Sequence, residues 1–273
     1  MRLGIFAKTF AGTDPLAVLQ QAGEAGYAAV HYNWACSGLP ALPDDIPTAF
    51  PRAVRHASAQ SGVAVVGVSA TYNMIHPDPA VRATGLRRLE IIAAGSAAMG
   101  THLVTLCTGT RDPHDQWRHH PDNASPGAWR DLLDEMAKAV LIAERHGVTL
   151  GIEPELSNVV DSAPRARQLL DTLASPTLGV VLDPANLFET GPLEEQHDLV
   201  SRAIDLLADR IVMAHAKDRT ADGSFTTAGS GVLDYRHFTA RLRAAGFDGD
   251  LVTHGLEAAQ APAVAAFLSG VIR

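Results

Sequence analysis

Four short segments of the sequence each place a residue that can bind a metal ion or carry a proton directly after an apolar run. The segments are LGIEPE, VVLDPAN, VMAHAKD and LVTHGLE, and the residues are Glu153, Asp183, His215 and His254. A buried carboxylate is costly unless it shares a cation or a proton, so Glu153 and Asp183 would need partners. Two carboxylates with two imidazoles suit Mn²⁺, Fe²⁺, Co²⁺, Zn²⁺ or Mg²⁺. These residues can form one site only if the fold brings the four segments together.

Short apolar runs typical of buried parallel strands recur about every thirty residues, and each precedes a longer segment with helical periodicity. We predict eight strands: Leu3–Ala7, Ala28–Tyr32, Ala64–Val68, Leu103–Cys107, Thr149–Ile152, Gly179–Leu182, Ile211–Ala214 and Leu251–Thr253. Asp14-Pro15 and Asp78-Pro79 are typical of helix starts. Glycines that precede strands predict the helix ends, at Gly26, Gly62, Gly100, Gly147 and Gly246.

Strict alternation of eight strands and helices predicts an α/β fold, a single-domain (β/α)8 TIM barrel over residues 1–273. A doubly wound open sheet is the alternative, but no GxGxxG sequence follows the first strand, where a dinucleotide-binding fold needs it. In a TIM barrel the C-terminal ends of the strands converge on the catalytic face. The four segments end the fifth to eighth strands, so we expect their polar residues to meet there.

Composition favours a stable globular protein, with 47% hydrophobic and 19% charged residues. The net charge of −8 and the lack of a long Lys/Arg cluster argue against nucleic acid and membrane surfaces as partners. Cys36 and Cys107 are the two cysteines, and their separation suggests neither a disulfide framework nor a zinc knuckle. We expect an unprocessed cytoplasmic protein that acts on a small molecule and could form a homo-oligomer.

The strand rhythm together with GIEPE, LDPAN and HAKD resembles the sugar isomerases and epimerases of the xylose-isomerase-like TIM-barrel superfamily over nearly the full length. In the epimerases a glutamate, an aspartate, a histidine and a second glutamate from strands 5 to 8 hold one divalent ion. The resemblance assigns the first three roles to Glu153, Asp183 and His215. His254 stands where the second glutamate is expected.

The resemblance implies a metal-dependent isomerase or epimerase that acts on a sugar or sugar phosphate through an enediolate. The ion would act as a Lewis acid on the carbonyl and hydroxyl oxygens. Glu153 would be one acid/base group, and His254 could be the second because an imidazole carries protons near neutral pH. Two neutral histidines and two carboxylates would balance a +2 ion, which leads us to expect Zn²⁺ or Fe²⁺ over Mg²⁺.

Further polar residues near strand ends are candidates for substrate binding. They are Asn73, His76, Arg111, Glu155, Asn186, Lys217 and Asp218. Arg111 is the strongest candidate for binding an anion, because a guanidinium group can donate two hydrogen bonds to one carboxylate or phosphate. Asn186 stands where the superfamily often has a histidine.

Several alternatives stay open from the sequence. Each polar residue could instead be structural, Asp183-Pro184 as a turn and His215 as a hydrogen-bonded core histidine. Loss of the second carboxylate could divert the reaction to a lyase or dehydratase on a keto-sugar or polyol derivative. An endonuclease is disfavoured by the −8 charge, and a sugar-binding protein on a decayed barrel is the non-enzyme alternative. Glu257 is predicted to begin the last helix.

Overall fold

A computed structural model describes residues 1–272, and eight parallel strands in it close into a barrel in the order β1-β10-β7-β6-β5-β4-β3-β2. The barrel strands are β1 Arg2–Phe6, β2 Ala29–Tyr32, β3 Ala64–Ser69, β4 Leu103–Cys107, β5 Thr149–Glu153, β6 Leu178–Leu182, β7 Ile211–Ala216 and β10 Asp250–Thr253. Closure is made by β1 and β10, which pair from Arg2 with Asp250 to Ile5 with Thr253. The predicted (β/α)8 TIM barrel is confirmed.

Within residues 1–272, eight α-helices follow the barrel strands and cover the outside of the barrel. They are α1 Pro15–Glu24, α2 Ala49–Ser61, α3 Pro79–Met99, α4 Pro126–His146, α5 Ala163–Leu173, α6 Leu193–Leu207, α7 Tyr235–Ala244 and α8 Ala261–Val271. Asp14 and Asp78 cap α1 and α3 through backbone N–H groups two residues on. Gly100 and Gly147 end α3 and α4 in the left-handed region, where glycine lacks the Cβ clash of other residues.

Two strand boundaries differ from the prediction at positions that matter for function. β5 includes Glu153, and β7 runs through His215 to Ala216. Both side chains therefore extend from regular strand rather than from the loop beyond it. The long segment after β7 also contains a small antiparallel hairpin, β8 Asp218–Arg219 and β9 Phe225–Thr226. None of the helices in residues 1–272 is long and apolar enough to cross a membrane.

The barrel interior is filled by Val181, Met213 and Val252, with the larger apolar core between the strands and the helices. Small residues on neighbouring strands make room for these side chains. A Cβ added to Gly179 in β6 would lie 2.4 Å from Val212 Cγ1 and 3.1 Å from the Arg210 carbonyl oxygen. The glycine thus allows β6 and β7 to pack at the barrel end opposite the polar strand tips.

We predict that Gly179→Ala lowers the free energy of unfolding by about 1–3 kcal/mol, because the added methyl overfills the barrel interior. Gly270→Ala is the matched control, since no atom lies within 4 Å of its added Cβ and the residue is inside α8. Urea denaturation should show the control unchanged or more stable by up to about 1 kcal/mol. Equal stability of the two variants would contradict this account of the interior.

Candidate active site

Four polar side chains meet at the C-terminal mouth of the barrel. Glu153 ends β5, and His215 is the second-to-last residue of β7. Asp183 and His254 directly follow β6 and β10. Potential ligand atoms of all four lie within 4.8 Å of one another. Glu153, Asp183 and His215 are buried, and the His254 side chain is 22% exposed. Neighbouring parallel strands thus bring together residues that are up to about a hundred positions apart in sequence.

Two imidazole–carboxylate pairs make up this cluster. His215 Nδ1 lies 3.0 Å from Glu153 Oε1, and His254 Nε2 lies 3.2 Å from Asp183 Oδ2. The two imidazole rings are 4.5 Å apart between centroids. Each carboxylate therefore has an imidazole partner, which offsets part of the cost of removing its charge from water.

Charge and burial oppose each other in the pKa values of the cluster. Burial acts to raise the pKa of Asp183, but the Lys217 ammonium and His254 outweigh it and hold that pKa below its ordinary value. Burial also acts to raise the pKa of Glu153, and His215 reverses the direction. The pKa of His254 is lowered by burial and by the neighbouring His215. His254 is therefore a neutral imidazole near pH 7, the form that binds metals and accepts protons.

The donor set fits a divalent cation. Of the two ring nitrogens of His215, Nε2 is buried and has no hydrogen-bond partner within residues 1–272, although a buried polar atom normally has one. Two carboxylates and two imidazoles can supply the nitrogen and oxygen ligands that Zn²⁺, Fe²⁺, Mn²⁺ and Co²⁺ accept. Glu153, Asp183, His215 and His254 could therefore hold such an ion. A second group, Cys107, Glu153 and Glu155, shares Glu153 and offers a competing position.

Lys217 and Asn186 support the two carboxylates. Lys217 Nζ lies 3.4 Å from Asp183 Oδ2 and donates to Asn186 Oδ1 at 2.9 Å. Asn186 in turn donates through Nδ2 to Glu153 Oε1 at 3.0 Å. Both were predicted to bind substrate from the sequence. The structure places them in a hydrogen-bonded chain that links Asp183 to Glu153 and fixes the position of both carboxylates.

A cavity of about 800 Å³ opens above the cluster. Glu155, predicted from the sequence, lines it beside Glu153, and burial together with the charge of Glu153 raises the pKa of Glu155 to about 8. His31 also lines it and bonds through Nε2 to Thr105 Oγ1 at 2.9 Å. The cavity therefore offers an acid that is protonated at neutral pH close to one that is ionised.

Two exposed aromatic side chains at the cavity were missed in the sequence. Trp117 in the loop after β4 is 50% exposed, and Phe225 in the hairpin after β7 is 53% exposed. Lys217 Nζ and the Arg219 guanidinium lie 3.9 Å and 4.0 Å from the centre of the Phe225 ring. These cation–π contacts hold the Phe225 ring at the cavity. Aromatic residues in long loops give no periodic signal, which explains why the sequence did not mark them.

Three predicted substrate-binding residues lie outside this cavity. Asn73 Oδ1 accepts from Thr110 N at 3.0 Å, and His76 Nε2 lies 3.2 Å from the Pro113 carbonyl oxygen. Arg111 donates to Asp131 Oδ2 at 2.6 Å. These contacts tie the loop after β3 to the loop after β4 and to α4. Asn73 and His76 line a neighbouring cavity of about 860 Å³, so we do not assign the three residues to the substrate at the four-residue cluster.

Asp218 organises the loop after β7 instead of facing the cavity. Its fully buried carboxylate accepts from Arg219 N at 2.8 Å, Gly229 N at 3.1 Å, Gly231 N at 3.1 Å and Leu233 N at 3.0 Å. A carboxylate that accepts several backbone N–H groups compensates for its buried charge. Asp218 therefore has a structural role in the loop, and substrate binding by Asp218 stays a prediction.

We predict that Asp218→Ala lowers the free energy of unfolding by about 2–6 kcal/mol, because the buried N–H groups of Arg219 and Leu233 lose their partner and each such loss costs about 1–3 kcal/mol. Asp222→Ala is the control in the same hairpin, where an exposed carboxylate accepts from Ser224 N at 3.1 Å. Chemical denaturation should show a loss below about 1 kcal/mol for this control. A loss for Asp218→Ala no larger than that of the control would contradict the assigned role.

Comparison with known proteins agrees with this architecture. A 3-keto-D-glucoside 4-epimerase from E. coli has a TM-score of 0.78 at 17% identity, with 99% of each chain covered. An L-ribulose 3-epimerase has a TM-score of 0.78 at 19% identity, over 99% of this chain and 94% of that one. The IOLI protein, solved with a zinc atom, has a TM-score of 0.73 at 16% identity, over 100% and 98%. At these identities the likeness shows the fold alone.

The family match rests on the sequence. No curated protein matches the chain significantly. The model of the family described as xylose isomerase-like TIM barrel matches residues 19–268, which is most of the chain and spans all four polar strand ends. The chain belongs to the xylose isomerase-like TIM-barrel family.

Proposed function

We propose that the protein is a metal-dependent sugar epimerase or isomerase that moves a proton at the carbon next to a carbonyl. The observation that carries this proposal is the cluster of Glu153, Asp183, His215 and His254 within 4.8 Å at the base of a large cavity. Two structural neighbours, a 3-keto-D-glucoside 4-epimerase and an L-ribulose 3-epimerase, point in the same direction. A third neighbour, the IOLI protein with its zinc atom, supports a metal in this fold.

The four clustered residues would hold the ion, and Lys217 and Asn186 would keep its carboxylate ligands in place. A divalent ion bound there would orient two neighbouring sugar oxygens and stabilise negative charge on them. Burial acts to lower the pKa of His215, but the charge of Glu153 outweighs it and raises that pKa. His215 would therefore release its proton on binding the ion as a neutral imidazole, with Glu153 next to it as a second ligand. Two carboxylates and two neutral imidazoles would match the +2 charge, so we propose Zn²⁺, Fe²⁺, Mn²⁺ or Co²⁺ ahead of Mg²⁺.

Proton transfer is assigned to Glu153 and His254. The pKa of Glu153 is below its ordinary value because His215 outweighs its burial, so Glu153 is ionised and can accept a proton. His254 is neutral near pH 7. It pairs with Asp183, whereas Glu153 belongs to the other imidazole–carboxylate pair of the cluster. Epimerisation requires a proton to leave one face of the substrate carbon and another to arrive on the opposite face. Two groups on different strands can reach these two faces.

Sugar binding is assigned to the cavity wall above these residues. Trp117 and Phe225 are exposed aromatic rings that line the cavity from the loops after β4 and β7. An aromatic ring offers a large apolar surface and loses little conformational freedom when a ligand binds. It therefore suits the apolar C–H face of a sugar. Glu155, protonated at neutral pH, can donate a hydrogen bond to a sugar hydroxyl.

Glu155 also favours one alternative reaction. A protonated carboxyl group in the cavity could protonate a hydroxyl as it leaves, which would convert proton abstraction into the loss of water. The same cluster would then serve a lyase or dehydratase on a keto-sugar or polyol derivative. Mass spectrometry separates the two reactions because epimerisation preserves mass and dehydration removes one water.

We expect the purified protein to bind one divalent ion per chain, and Asp183→Asn and His254→Ala to weaken that binding at least tenfold. Each substitution removes one of four ligands from the cluster. Elemental analysis and competition with a metallochromic chelator measure the effect. His197→Ala is the control, because His197 lies on α6 and bonds to Asp234. Unchanged metal affinity of the His254 variant would remove His254 from the ligand set.

We expect metal-loaded protein to exchange the proton next to the carbonyl of a ketose with D₂O, and Glu153→Gln to reduce this rate by about 10²–10⁴-fold. Nuclear magnetic resonance of a panel of ketoses in D₂O measures both exchange and the new epimer. Exchange that survives in Glu153→Gln would contradict the assigned proton acceptor. Binding of sugar without turnover in the wild type would favour a sugar-binding protein.

A further inference from the structure

The loops after the seventh and eighth strands of a TIM barrel, with the first turn of a short extra helix, frequently bind phosphate. The corresponding parts of this chain are the segment 217–233 after β7 and the segment 254–260 after β10, which ends in a short 3-10 helix, Ala258–Gln260. Phosphate sites of this type depend on free backbone N–H groups and on unpaired basic side chains. The availability of both kinds of donor therefore decides whether a phosphorylated sugar fits.

The backbone N–H groups after β7 are already used by a carboxylate of the chain itself. Asp218 accepts from Gly229, Gly231 and Leu233 at 3.0–3.1 Å, as well as from its neighbour Arg219. Gly231 approaches so closely that an added Cβ would lie 2.3 Å from Asp218 Oδ1. The loop is thus folded around an internal anion, and a phosphate would find none of these N–H groups free.

The helix after β10 begins with a second carboxylate. Glu257 stands at the N-cap of Ala258–Gln260, and Gln260 Oε1 accepts from Glu257 N at 2.9 Å in a capping box. Glu257 also lines a side cavity of about 620 Å³ next to His254. A phosphate in that cavity would face the negative charge of Glu257 rather than a free helix terminus.

Two of the basic side chains that line the main cavity, Lys217 and Arg219, already have partners within the protein. Lys217 is held between Asp183 and Asn186 at 3.4 Å and 2.9 Å. Arg219 donates through Nε to the Ala185 carbonyl oxygen at 2.6 Å and lies over Phe225. Lys8 is exposed and lines both the main cavity and the side cavity, and in the side cavity the negative charge of Glu257 opposes its positive charge.

We propose that this active site takes uncharged sugars and excludes their phosphate esters, and that Asp218 and Glu257 are the specificity-determining residues. Asp218 occupies the N–H groups that would bind a phosphate, and Glu257 repels one from the side cavity. The inference rests on the proposed function for its substrate class, sugars. It adds which sugars are accepted and which residues decide this.

The test compares kcat/KM of the metal-loaded protein for free ketoses with the values for the 1-phosphate and terminal-phosphate esters of the same ketoses. We expect the free sugars to be favoured by about 100-fold or more, since the charge of Glu257 repels a phosphate. Glu257→Gln keeps the length and hydrogen bonds of the side chain but removes its charge. In this variant the ratio of kcat/KM for the free sugars to kcat/KM for the esters should fall several-fold. The reason is a lower KM for the esters, with little change in kcat/KM for the free sugars.

Phosphate esters that react as well as the free sugars, or better, would overturn the proposal. A second measurement does not depend on turnover: metal-free protein is titrated with inorganic phosphate and followed by ³¹P magnetic resonance and calorimetry. We expect a Kd above ~10 mM. Saturable binding below that concentration that is lost in Lys8→Ala would also overturn it. If no sugar reacts and phosphate does not bind, the proposed function fails while the exclusion of phosphate stands.

Discussion

The burial of two carboxylates at the mouth of the barrel is the constraint on which the rest of the site depends. Glu153 and Asp183 are 8% and 1% exposed, and an unpaired charge at such a position costs several kcal/mol. The chain offsets this cost with His215, His254 and Lys217, each within 3.4 Å of a carboxylate oxygen. A bound cation would complete the compensation, because His215 Nε2 is buried without a hydrogen-bond partner in residues 1–272 and could bind it.

The same constraint explains the contacts that Lys217 and Asn186 make beneath the cavity. Lys217 and Asn186 connect the two carboxylates through hydrogen bonds of about 3 Å and have little freedom left to follow a ligand. Their contacts position the two carboxylates, and Lys217 also lines the cavity above together with Glu155, Trp117 and Phe225. Asp218 has the corresponding role one residue further on, because it holds the loop that carries Phe225. Rigid support beneath and adaptable aromatic contacts above are what a site for a polar, flexible sugar needs.

The sequence predicted the barrel and the four-residue cluster because both follow from a regular rule. Parallel strands end on one face, so Glu153, Asp183, His215 and His254 had to converge once the alternation of strands and helices was recognised. The loops obey no such rule. Arg111 meets Asp131 on α4, and Asp218 meets N–H groups more than ten residues away. These partners are set by tertiary packing, which spacing in the sequence does not encode, so the sequence did not predict the contacts that these loop residues make within the protein.

His254 stands where the resemblance to the sugar epimerases predicts a glutamate, and its proposed role as ligand and proton carrier depends on its protonation state. Burial and the neighbouring His215 lower the pKa of His254, which leaves a neutral imidazole next to Asp183. Anomalous diffraction at a metal absorption edge tests the central claim most directly. We expect one anomalous peak within bonding distance of Glu153, Asp183, His215 and His254. A peak bound by Cys107, Glu153 and Glu155, or no peak after loading with Zn²⁺, Fe²⁺, Mn²⁺ or Co²⁺, would contradict it.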